Sequence, residues 1–125
     1  MIDIENTVIT RVEAALAVSF PSISVYGEQI ETSASFPCAT VVELDNSEDM
    51  NYVTFDGLEN SANLMYQIDV YSNLVSGAKI ECKQMLSLVD TAMRGLYFIR
   101  TEKRQNDNID RSVSRMTVRY TKIQT

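Results

Sequence analysis

Histidine is absent from the chain. That removes the commonest general base and the commonest metal ligand, and it makes a Ser-His-Asp or Cys-His arrangement impossible. Glycine is sparse, at positions 27, 57, 77 and 95, so no phosphate-cradling loop of the Walker or dinucleotide type exists. Cysteine occurs only as Cys38 and Cys82, with no C-x-x-C pair, which leaves nothing to build a zinc site. Long apolar runs are missing too. The longest, Ala14 to Val18 with Phe20 close by, is far too short to span a bilayer. The opening MIDIENT is acidic and polar, unlike the basic start of a secretory signal. These absences predict a cytosolic protein with reduced thiols, no catalytic site, no cofactor, no metal and no membrane partner.

What is present supports a folded domain. The 125 residues, 45% of them hydrophobic, suit a single domain over residues 1–125 with a real core. The net charge of −6 argues against a nucleic-acid binder. The charge is also uneven: residues 1–93 hold 14 acids and 3 bases, whereas residues 94–125 hold 3 acids and 8 bases. Basic strands lying beside acidic ones would cancel this within one subunit. Alternatively, the two signs meet across subunits, where opposite patches steer association.

Periodicity predicts the elements. Ile4, Val8, Val12, Ala15 and Leu16 recur at helical spacing within Ile2 to Val18, with Asp3 as N-cap and Phe20-Pro21 as the stop. A short strand at Ile23 to Tyr26 and a polar connection over Glu28 to Ser35 come next. Pro37 opens a strand from Cys38 to Leu44, with Cys38, Val42 and Leu44 expected on its buried face. Asp45 to Asn60, the most acidic part of the chain, reads as a long hairpin arm or loop carrying one extended piece, with Tyr52, Val53 and Phe55 as its apolar interruption. Ala62 to Tyr71 alternates strictly: Ala62, Leu64, Tyr66, Ile68 and Val70 on one face, Asn63, Gln67 and Asp69 on a wetter one. A second helix from about Ser76 to Arg94 carries Ile80, Cys82, Met85, Leu86, Val89 and Met93, with Gly95 as C-cap. Strands at Tyr97 to Lys103 and Ser112 to Ile123 flank a polar turn, Arg104-Gln105-Asn106-Asp107-Asn108. The expected class is α+β: a mostly antiparallel sheet, two helices on one face, and a C-terminal β-hairpin.

Several clusters invite chemistry. Cys82 has Lys79 and Lys83 nearby, which could lower a thiol pKa, but a buried thiol on the helix face is the expectation. Asp45 to Asp49 resembles a calcium loop loosely; Met50 stands where glycine is needed and Asp56 where glutamate is needed. Glu43 and Asp69, with Arg115 and Arg119 opposite, suggest a cross-strand salt-bridge ladder or an oligomer contact rather than acid-base catalysis. Tyr66 and Tyr120 belong to the core. Tyr52 and Phe55 interrupt the acidic arm, as interface anchors do. The interface candidates are thus Asp45, Glu48, Asp49, Tyr52, Phe55 and Asp56 on the acidic arm, with Lys103, Arg104 and Arg111 on the basic tip.

Four stretches carry a resemblance in the same order across most of the chain. They are Ser35-Phe36-Pro37-Cys38 into Val41-Val42-Glu43-Leu44-Asp45-Asn46-Ser47, Met65 to Asn73, Gly77 to Met93, and Met116-Thr117-Val118-Arg119-Tyr120. Together they resemble small tail-joining proteins of Firmicutes phages and prophages, of the lambda-type tail terminator family. The resemblance implies no catalytic residues. It implies a hexameric ring that caps the tail tube, ends its polymerisation and offers a docking face to the head connector, in a virion assembled in the host cytoplasm. The partners implied are further copies of the chain, the tail tube protein and the neck, with DNA only as passing cargo. A head-closure or neck adaptor, or a small monomeric binding or inhibitor module, are the rival expectations.

Overall fold

A computed structural model describes residues 3–21, 23–27, 36–48, 62–106 and 113–124. The elements run α1 (Glu5–Ala17), β1 (Ser24–Tyr26), β2 (Cys38–Glu48), β3 (Ala62–Ser72), α2 (Ala78–Gly95), β4 (Ile99–Asn106) and β5 (Ser114–Gln124). The strands form one sheet in the order β1-β2-β3-β5-β4. Strand β1 is parallel to β2, and the remaining neighbours are antiparallel. Both helices cover one face, and β4 with β5 makes the C-terminal hairpin, so the chain is α+β as the periodicity predicts.

The core lies between that face and the helices. Val8, Val12 and Leu16 of α1 and Cys82, Met85, Val89 and Met93 of α2 are fully buried. They meet Ala39 and Val41 of β2, Tyr66, Ile68 and Val70 of β3, and Val118 and Tyr120 of β5. Each of the valine, leucine, isoleucine and methionine side chains among them is worth about 1.5–3 kcal/mol when taken out of water. A smaller cluster of Cys38, Tyr71 and Val113, with Tyr26 and Phe36 against it, sits apart from this core. Cys38 and Tyr71 are register partners on the sheet's other face.

Several expectations need correction. In β2 it is Ala39 and Val41 that face the helices; Cys38 belongs to the smaller cluster, and Leu44 is 43% exposed. Both faces are buried here, so apolar alternation cannot tell them apart. A β-bulge between Glu43 and Asp45 leaves Leu44 without a register partner. The strand also continues to Glu48, so Asp45 to Glu48 take the hairpin-arm alternative, paired antiparallel with β3, and not the loop. Ile80 is 63% exposed. It stands two residues before Cys82, and residues two apart on a helix do not share a face. Arg104, Gln105 and Asn106 extend β4 instead of forming a turn.

Both helix ends are set by local bonds. The Glu5 N–H donates to Asp3 Oδ1 at 3.1 Å, so Asp3 serves the first turn although Ile4 occupies the cap position. At the end of α2 the left-handed residue is Tyr97 (φ 66°), not Gly95. The Tyr97 N–H reaches the Arg94 carbonyl and the Phe98 N–H the Met93 carbonyl, each at 3.0 Å. This is a Schellman closure with a tyrosine where glycine is usual.

Candidate functional site

Lys103 and Arg104 are both exposed on the edge strand β4 but serve opposite faces. Lys103 pairs in register with buried Val118 on the helix side; Arg104 pairs with Thr117 on the other. Asp45 is exposed just past the β2 bulge, and Glu48 ends the strand opposite Ala62. Asp49, Tyr52, Phe55, Asp56 and Arg111 lie outside the described residues, as do most of the acidic arm and the connection over Glu28 to Ser35.

The basic segment over residues 94–125 is largely neutralised from within. On the helix side, Asp90 of α2 accepts from Arg94 Nε at 2.8 Å, Arg100 Nη1 at 3.3 Å and Tyr120 Oη at 2.8 Å. One carboxylate therefore ties α2 to both strands of the hairpin. It borders a cleft of about 140 Å³ shared with Lys103, Ser87 and Leu86. Burial would raise the Asp90 carboxyl, but the bonds from Arg94 and Tyr120 outweigh it and hold it below its ordinary range.

On the opposite face a polar ladder crosses β3, β5 and β4. Asp69, fully buried, accepts from Thr117 Oγ1, from Gln67 Nε2 at 3.0 Å and from Arg115 Nη2 at 3.3 Å. Arg119 donates to Gln67 Oε1 at 3.0 Å and lies 3.7 Å from Glu102, which also holds Arg104 at 3.2 Å. The expected cross-strand ladder is thus present through Asp69, Arg115 and Arg119. Glu43 is not part of it: it faces the helix side, where Tyr66 Oη donates to it at 3.1 Å. Arg94, Arg100, Arg104, Arg115 and Arg119 all have intramolecular carboxylate partners, so much of the charge asymmetry cancels inside the chain.

The thiols sit in packing positions. Cys82 is fully buried and directs its S–H to the Val70 and Ser114 carbonyls at 3.8 and 3.6 Å. Burial pushes this thiol up to about 11, against any lowering by Lys79 or Lys83. Among the described residues, no group of three or more His, Cys, Asp or Glu is placed to hold a metal ion, and no helix is long and apolar enough to cross a membrane.

The ends of the sheet differ from its middle. Register places Ile99 beside Thr121, and Asn63 beside Ile123, at one end. There Tyr97, Ile99 and Ile123 are 82%, 68% and 55% exposed around an open cleft of about 470 Å³. Ser72 and Ser114 pair at the other end, where Leu74 and Val75 of the turn into α2 are 46% and 107% exposed. Periodicity missed both groups. The signal for the second was in plain view, two apolar residues between Ser72-Asn73 and Ser76-Gly77 that belong to no helical or strand period.

Neither a comparison with protein-family models nor one with curated proteins finds a match for the chain.

Proposed function

We propose that the chain is a structural, non-enzymatic subunit of a phage tail: it forms a homo-oligomeric ring that caps the tail tube, stops its growth and joins it to the head connector. One observation carries the reading. Among the described residues, exposed apolar side chains gather at both ends of the sheet, Tyr97, Ile99 and Ile123 at one and Leu74 and Val75 of the turn into α2 at the other, while its middle is locked by internal polar contacts. Closed rings with rotational symmetry need two unlike patches on each subunit, which meet head to tail. The α+β order of elements agrees with the family the sequence resembles, whose rings are hexameric. The polar residues that could be taken for a reactive centre are engaged in holding the fold. Asp90 and Asp69 each accept several bonds that tie neighbouring elements together.

Electron microscopy of purified tail tubes mixed with the protein tests this. The protein is expected at tube ends, with further elongation blocked. Binding only to the capsid-side neck would assign it to the head-closure layer. Light scattering of a monomer both with and without tubes would make it a monomeric binding module and end the ring reading.

A further inference from the structure

The outer strand β4 keeps a positive charge that the internal pairs do not cancel. Asp90 is shared between Arg94 and Arg100, and Glu102 between Arg104 and Arg119. Two carboxylates therefore serve four guanidinium groups. Lys103 adds a fifth cation, exposed and with no carboxylate partner among the described residues.

Strand alternation sorts these charges between the two faces. Arg100 and Lys103 pair in register with Tyr120 and Val118 on the helix side, whereas Arg104 pairs with Thr117 on the other. On the helix side the two cations border the cleft of about 140 Å³ between β4 and α2. Asp90 and Ser87 are its polar lining, and Leu86 with Val118 its apolar lining. Exposed Lys83 stands one helical turn before Ser87 on the same ridge of α2. Asp90 is already engaged, by Arg94, Arg100 and Tyr120. Arg100 nonetheless stays 40% exposed, so it has donors to spare beside Lys103.

That lining selects an occupant. A carboxylate brings one negative charge between Arg100 and Lys103, and its methylene stem can lie against Leu86 and Val118. A phosphate group brings about 1.5 to 2 charges and sets them beside Asp90, where like charges repel. The cleft is also well below the roughly 300 Å³ of small-molecule pockets. Its size suits the end of one side chain.

The neighbouring sheet edge supplies the rest of a binding surface. Strand β4 ends the sheet order, and among the described residues no strand lies on its outer side. Its outward N–H and C=O groups can therefore pair with a further strand. In such strand addition the main chain provides affinity, and pockets for alternate side chains provide selection. Lysine on an edge ordinarily discourages pairing. Here the discouragement is selective: two copies meeting β4 to β4 would set Arg100, Lys103 and Arg104 against their own kind, whereas an acidic strand meets its complement.

We propose that an extended acidic segment of a partner protein adds to the free edge of β4 and seats one carboxylate side chain between Arg100 and Lys103. This site goes beyond the ring reading and requires neither a ring nor a tail tube.

A short capped peptide of alternating glutamate and threonine tests it on the intact, isotope-labelled protein. In a titration followed by backbone amide NMR, the amides of β4 should shift more than those of central β3. Replacing the glutamates by glutamine should weaken binding at least about tenfold at low salt, where charge pairing is least screened. Lys103→Glu should weaken it as much, and Lys103→Arg should retain it. Lys103 is exposed, so neither change is expected to disturb the fold, and unshifted β3 amides in the variants check this. Arg104→Gln, on the other face, should matter less than Lys103→Gln. Absence of peptide binding at millimolar concentration would overturn the proposal, as would equal affinity for the glutamine peptide or undiminished binding by Lys103→Glu. Inorganic phosphate that displaces the peptide at lower concentration than acetate does would overturn the carboxylate assignment. Failure of the peptide leaves the ring reading standing, and absence of the protein from tube ends leaves this site standing.

Discussion

Strand β3 is buried on both sides, by different means. Toward the helices, Tyr66, Ile68 and Val70 are fully buried in an apolar core. On the other side, Gln67, Asp69 and Tyr71 are nearly as inaccessible, at 8%, 0% and 4% exposure, but the contacts there are polar and aromatic. Asp69 is surrounded by Thr117, Gln67 and Arg115, and the Arg115 guanidinium lies 5.7 Å from the Tyr71 ring centroid. An apolar face tolerates loss of one contact as a cavity. A polar face depends on every group keeping its partner, because an orphaned buried charge costs far more than a lost contact.

The comparison breaks first at Asp69. Replacing it by alanine leaves Arg115, whose side chain is 18% exposed, without its carboxylate, and removes the bond from the Thr117 hydroxyl to Asp69. We expect Asp69→Ala to lose about 3–5 kcal/mol, the range for breaking a buried pair. Ile68→Ala on the opposite face should lose about 2–5 kcal/mol by cavity formation. Urea unfolding of both variants checks this. An Asp69→Ala loss below about 1 kcal/mol, as for a surface pair, would mean that the second face is held by something other than its network. The double change Asp69→Leu with Arg115→Met should recover much of the loss, since replacing both partners leaves no charge stranded.

This contrast marks how far the sequence could be read. Alternation in β3 and the helical stripes of α1 and α2 carried the fold class, because burial on the helix side is apolar and periodic. The same alternation assigned Asp69 to a wetter face. Nothing in a two-residue period tells whether a polar face is open or closed, since that depends on contacts made by distant segments. Leu44 escaped because a bulge shifts register without a local signature. Gly95 drew the helix cap two residues too early; Phe98 packing edge-on to Tyr66, at 5.6 Å and 86°, goes with closure at Tyr97. At the candidate site, Lys103 and Arg104 looked like one basic patch because they are adjacent in sequence. Adjacency in a strand sends side chains to opposite faces, and Glu102 holds Arg104.

The helix-side face is not purely apolar, and alkaline pH sharpens this point. Tyr66 and Tyr120 are fully buried, with hydroxyls on Glu43 and Asp90. Burial first, and then the adjacent carboxylate, raises both phenols above their ordinary value. In the unfolded chain they ionise near pH 10. Their contribution is therefore complete below about pH 10 and is lost as pH rises toward the folded values. Unfolding free energy should fall above about pH 10 by up to about 1.4 kcal/mol per pH unit for each phenol. Tyr120→Phe should remove one phenol's share of that slope, and phenolate absorbance should appear together with unfolding. A slope unchanged in Tyr120→Phe would refute the assignment.

The smallest expected effect has the opposite sign and lies where the helix-side face ends. Tyr97 is 82% exposed on left-handed backbone, and its visible return is the distant contact with Lys122. Relieving that backbone is worth about 1–2 kcal/mol, against about 0.5 kcal/mol for an exposed cation–π contact. Tyr97→Gly should therefore stabilise the isolated subunit by about 1 kcal/mol, a rise of roughly 4 °C in melting temperature for a domain of this size. A variant that loses stability would mean that the Tyr97 ring serves its own fold.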